Sequence, residues 1–254
     1  MPTDHPHEPS PAHRPASIPP DRPPECEPPS RLATFLEVRA PLDWLGVAFK
    51  LPQLARAPRG DGRPILLVPG YLADGLSMTP LRSFLRALGY RASDWGLGRN
   101  RGDVEDDIQR LGARTVEARA DFDGAPLTLI GWSLGGVLCR EVARLFPDSV
   151  REVITFGTPI VGGPKYTAVA DRMVREKGLD LPALEEDIHR RNRLGFPQAV
   201  TAIFSKSDGV VGWRSCVDCY NPQARNVEVR GSHVGLGINP EVWLTIARTL
   251  ANGA

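Results

Sequence analysis

Nowhere in this sequence does an apolar run reach the roughly 18 residues that a membrane-spanning helix needs, and Met1 to Ser30 holds no apolar core of a signal peptide. The chain is therefore expected to stay in the cytosol without a transmembrane segment, peripheral membrane contact being left open. It also lacks an excess of either charge. Its 31 Lys and Arg against 30 Asp and Glu leave +1, which gives no case for nucleic acid as a partner. Cysteine is scarce, with four residues. Cys216 and Cys219 form a Cys-x-x-Cys pair, but no second Cys or His pair stands near it, so it reads as two thiols in a loop rather than a metal or redox site. The glycines between Gly96 and Gly102 do not run Gly-x-Gly-x-x-Gly into a helix, and no Lys-Ser/Thr follows, which excludes a nucleotide loop. Histidine is scarce where it matters: outside the first 30 positions only His189 and His233 occur.

What is present suits one α/β core: 254 residues, 41% hydrophobic and 24% charged. Residues 1–30 are Pro-rich with little to bury, and the expectation is an extended, disordered tail in which His5, His7 and His13 are solvated. Residues 31–57 form an apolar helical lead-in interrupted at Pro41 and Pro52, expected to pack on its own domain. Residues 58–254 then alternate strands with helices. Strands are predicted over Pro64–Val68, Tyr90–Trp95, the run from Leu127, Val150–Phe156, Ala199–Phe204 and Asn226–Arg230. The connection between Phe156 and Ala199 is longer than one crossover helix requires, and two helical stretches in it, Tyr166–Lys177 and Leu184–Arg193, predict a small helical cap over about 160–197.

The most informative stretch is Leu127-Thr-Leu-Ile-Gly-Trp-Ser133-Leu-Gly-Gly-Val-Leu138, an apolar run, a serine between glycines, then helical spacing. A serine where strand turns into helix is lifted out of the sheet on a tight turn, so Ser133 is a candidate nucleophile. The free N–H groups at the start of that helix would face an oxyanion formed beside it. A serine hydroxyl needs a neutral imidazole to take its proton and a carboxylate to hold that imidazole. His189 lies in a polar stretch and reads as a solvated surface residue, which leaves His233, just after a predicted strand. Asp208 follows another strand end and is the candidate acid, with Asp218 as the alternative. The loop after the first strand, Pro69-Gly70-Tyr71-Leu72, offers the second oxyanion donor, the N–H of Tyr71 or else of Leu72.

Between about Pro64 and Leu250 the chain resembles the α/β-hydrolase superfamily, within it the bacterial lipase and esterase-like branch. The pieces that carry the resemblance are Pro69-Gly70-Tyr71, Gly131-Trp-Ser-Leu-Gly-Gly136, Thr155-Phe-Gly-Thr-Pro159, Ser207-Asp-Gly-Val-Val211 and Gly231-Ser-His233, in the order Ser, Asp, His. It departs from many relatives in having Pro69-Gly70 where they have His-Gly. The resemblance implies a mainly parallel central sheet flanked by helices. It further implies Ser133 as nucleophile, Asp208 and His233 as its partners, the N–H groups of Tyr71 and Leu134 as oxyanion hole, and no metal or organic cofactor. The expected activity is hydrolysis of carboxylic esters, the partner being a small-molecule ester with a hydrophobic acyl part. An acyltransferase or thioesterase using the same triad, and a non-catalytic binding module of the same fold, are the alternatives.

Overall fold

The computed structural model describes residues 19–253. Two helices lead in, α1 (Arg31–Leu36) and α2 (Ala40–Ala55), separated by a 3-10 turn over Glu37–Arg39. There follow β1 (Pro64–Val68), α3 (Thr79–Leu88), β2 (Arg91–Asp94), α4 (Val104–Ala120), β3 (Leu127–Trp132), α5 (Leu134–Leu145) and β4 (Val150–Phe156). The rest is α6 (Ala170–Lys177), α7 (Leu181–Arg193), β5 (Ala199–Phe204), β6 (Arg225–Glu228) and α8 (Pro240–Asn252). The six strands form one parallel sheet in the order β2-β1-β3-β4-β5-β6. Central strands buried on both faces read as continuous apolar runs, as Pro64-Ile-Leu-Leu-Val68 does, whereas the edges β2 and β6 are short and polar.

Successive side chains of a strand point to opposite faces, and each face carries its own core. Ile65 and Leu67 of β1 pack with Leu81 and Leu85 of α3 and with Ile246 and Leu250 of α8; Leu66 and Val68 pack with Leu111 of α4 and with Leu138 and Val142 of α5. The chain runs outward from β1 to β2, then returns to place β3 on the other side of β1. The loops after β1 and β3 consequently leave the sheet in opposite directions. They open a crevice at the carboxyl ends of the strands, where sheets of this kind bind ligands. Between β4 and β5 the two helices α6 and α7 cover that end of the sheet.

Several local expectations change. Of the tail expected over Met1 to Ser30, residues 1–18, with His5, His7 and His13, lie outside the described residues. Residues 19–30 pack on the domain, with Cys26 against the cluster of Ile160, Tyr166 and Tyr220. α2 runs through Pro52 instead of breaking there, and ends three residues later at Ala55. Leu54 and Ala57 reach the main core, while Leu32, Phe35 and Phe49 remain 67%, 72% and 84% exposed. His189 is buried, not solvated: its Nδ1 lies 3.0 Å from the Tyr220 hydroxyl. The inward side of α7 is polar, with Glu185, His189 and Asn192 each bonded to a specific partner, and a hydrophobic pattern does not register such a face. Cys216 and Cys219 are free thiols, and burial pushes that of Cys219 up to about 11. Among the described residues no helix is long and apolar enough to cross a membrane.

Candidate active site

Ser133 stands between β3 and α5 with φ 53° and ψ −124°, a backbone conformation that costs a non-glycine residue about 1–3 kcal/mol and persists only where its surroundings enforce it. Close backbone approach does the enforcing. A Cβ on Gly131 would overlap the backbone of Gly136, and one on Gly135 would overlap the Val68 carbonyl of β1, so helix and strands meet at a distance only glycine permits. A Cβ on Gly136 would in turn overlap the Thr158 side chain just after β4. The Ser133 N–H is tied to the Phe156 carbonyl at 2.9 Å, which fixes the turn to the end of β4. Gly131→Ala should therefore destabilise the fold by about 1–3 kcal/mol or more, read as a lowered melting temperature together with loss of the turn's function.

Asp208 and His233 come from the loops after β5 and β6. The Asp208 carboxylate accepts from the N–H groups of Val210 (2.9 Å) and Val211 (2.7 Å) through Oδ1, and its Oδ2 lies 2.7 Å from His233 Nδ1. Both residues are buried. The His233 ring leans on Trp132, the neighbour of Ser133, with ring centroids 5.9 Å apart. On its other flank it meets Gly157, where an added Cβ would sit 3.0 Å from Nδ1. Since Gly157 follows the carbonyl that holds the Ser133 N–H, the serine turn and the imidazole are set against the same end of β4. Burial works against the imidazolium, but the charge and hydrogen bond of Asp208 and the charge of Glu37 outweigh it and leave the His233 pKa raised.

The alternative acid, Asp218, is committed elsewhere. Its Oδ2 pairs with Arg140 at 2.6 Å in the interior, and its Oδ1 accepts from the N–H groups of Tyr220 and Asn221. The alternative oxyanion donor is committed too, because the Leu72 N–H is bonded to the Asn100 carbonyl at 2.7 Å. Asn100 is buried and also donates to the Pro69 carbonyl, so it fixes the loop after β1 from both sides. The Tyr71 N–H has no acceptor among the described residues and follows Gly70, which lies against the Ser133 side chain. Leu134 opens α5, where the first N–H groups have no partner within the helix.

Two residues of this site escaped the sequence reading. Asn100 gives no pattern signal. Glu37 lies in the lead-in, far from the other site residues in sequence, yet its carboxylate reaches the backbone of both the Asp208 and the His233 loops. Next to Ser133 lies a cavity of about 280 Å³, lined by Tyr71, Leu134, Val137, Ile160, Met173 and Ile188 among others. Among the described residues none of the lead-in over 31–57 lines it. α2 runs along α8 and the loop before it, and places Leu54 and Val47 against that core.

No family model and no curated protein sequence matches the chain. Solved structures do. A lipase-esterase related protein from Clostridium acetobutylicum is 17% identical with a TM-score of 0.58, the match covering 77% of this chain and 97% of that one. A mature lipase of Bacillus licheniformis is 17% identical with a TM-score of 0.56, over 76% and 93% of the two chains. An N-acyl homoserine lactonase, AidH, complexed with N-butanoyl homoserine, is 15% identical with a TM-score of 0.54, over 78% and 92%. The fold of this chain is the α/β-hydrolase fold. At these identities the likeness is one of fold, and the chemistry rests on this chain's own residues.

Proposed function

We propose that the chain is a serine hydrolase that cleaves carboxylic esters through an acyl-enzyme on Ser133. The observation that carries this reading is the buried 2.7 Å contact between His233 Nδ1 and Asp208, set beside a serine held in a strained turn. Asp208 accepts from Nδ1–H and so leaves Nε2 free to take the hydroxyl proton as Ser133 attacks the acyl carbonyl. The developing oxyanion accepts from the N–H groups of Tyr71 and Leu134, aided by the positive end of α5. His233 then gives its proton to the leaving alcohol, and a water it activates releases the acid. Mapping the peptide modified by a fluorophosphonate tests the assignment: the label is expected on Ser133, and modification of a different serine with Ser133 untouched rejects it.

The cavity supports an apolar acyl group. Ser133, Leu134, Val137, Arg140 and Glu141 share one face of α5, so the pocket follows that helix for roughly 10 Å before it meets the Arg140–Asp218 pair. Each methylene buried there adds about 0.8 kcal/mol, close to fourfold in binding. For p-nitrophenyl esters from acetate to palmitate, kcat/KM should therefore rise with chain length and fall once the acyl group outgrows the cavity. Acetate as the best substrate would refute this reading of the pocket.

A further inference from the structure

Building on the hydrolase reading, we propose that Glu37 is a positioning residue of the active site: its carboxylate straps the loop that carries Asp208 to the loop that carries His233. Oε1 accepts from the N–H groups of Gly209 and His233, both at 2.7 Å, and Oε2 accepts from Val234 at 3.0 Å. Gly209 is the neighbour of Asp208, so one side chain fixes the spacing of the backbones that bear the acid and the base. Hydrogen bonds to an ionised acceptor are shorter and roughly twice as strong as neutral ones, which suits the carboxylate to joining these two loops beyond the paired ends of β5 and β6, where Ser205 Oγ also donates to the Gly231 carbonyl at 2.6 Å. The lead-in is itself anchored at this point. Thr34 Oγ1 donates to the Gly209 carbonyl at 2.7 Å, and a Cβ on Gly209 would overlap the Ala33 carbonyl, so position 209 is glycine because the lead-in backbone lies against it. Ser30 caps α1 by accepting from the Ala33 N–H.

The strap also acts through charge. Asp208 and Glu37 are the charged groups that bear on the imidazole, both favouring its protonated form against burial. Hydrolysis needs the neutral imidazole, so a raised pKa places the acid limb of kcat/KM above the ordinary histidine value, with activity lost as pH falls through it. Removing the Glu37 charge moves that limb to lower pH. Glutamine matches the size of glutamate but offers one acceptor oxygen where glutamate offers two, so it cannot serve all three N–H groups.

The test is made on the full chain. Glu37→Gln should lower kcat by about 10- to 100-fold, the scale on which small misplacements of reacting groups act, with KM changed much less. The His233 titration, followed by NMR, should shift to lower pH while the low-field Nδ1–H signal persists. Glu37→Asp keeps the charge but withdraws it by one methylene; it should lose kcat while His233 titrates close to the wild type. A folded Gln variant whose His233 titration or kcat is unchanged overturns the proposal. Should the Gln variant not fold, an Asp variant with wild-type kcat does the same. Fluorophosphonate labelling of the wild type reports on the hydrolase reading separately: a shifted titration without labelling of Ser133 would reject that reading and leave the strap standing.

Discussion

Ser133→Ala should lower ester hydrolysis by about 10⁶-fold, the scale on which removal of a triad nucleophile acts, and abolish fluorophosphonate labelling. The loss is expected to fall on chemistry and not on folding. The Ser133 hydroxyl caps no N–H of α5, and alanine carries the same backbone strain at φ 53° as serine, so the two side chains differ little in what they contribute to stability. The melting temperature should stay within a few degrees of the wild type. A folded variant that keeps more than a few per cent of the activity removes Ser133 from the mechanism.

Asp208→Asn and Asp218→Asn should fail in different ways, and the contrast decides which carboxylate serves the histidine. Asp208 spends Oδ1 on two backbone N–H groups and Oδ2 on His233. In the asparagine variant the carbonyl oxygen keeps the backbone donors and the amide NH2 faces Nδ1. That forces the imidazole proton onto Nε2, where it cannot accept from serine, and kcat should fall by about 10⁴-fold with the fold retained. Asp218→Asn breaks a buried pair and leaves the Arg140 guanidinium uncompensated, a loss of about 3–5 kcal/mol of stability. Per folded molecule that variant should hydrolyse esters like the wild type. Denaturant melts alongside kcat separate the two effects, and the reverse pattern would transfer the acid role to Asp218.

The legible parts of the fold are those whose signal is local. Pro64–Val68, Val150–Phe156 and Ala199–Phe204 are strands at the predicted bounds because a strand buried on both faces is an apolar run ended by turn residues. The cap helices were legible in existence but not in outline. Gly163–Tyr166 tightens into a 3-10 turn and Thr167 bridges to Val211, which delays α6 to Ala170. The inward face of α7 stayed hidden because its buried residues are polar, and only their partners make burial tolerable.

By itself, then, the sequence determined the strand-turn-helix around Ser133, the order of serine, acid and histidine, and the alternation of elements that builds a parallel sheet. Each strand, helix and turn in that pattern is encoded by its own near neighbours, through glycines, apolar periodicity and turn chemistry. Only the tertiary structure shows what each candidate carboxylate touches: Asp208 lies against His233, whereas Asp218 pairs with Arg140. It likewise shows the Leu72 N–H bonded to Asn100, and it brings in Glu37 across 172 and 196 residues of chain. Contacts at that separation leave no periodic trace, because a single carboxylate bonded to backbone N–H groups places no demand on the identity of the side chains it holds.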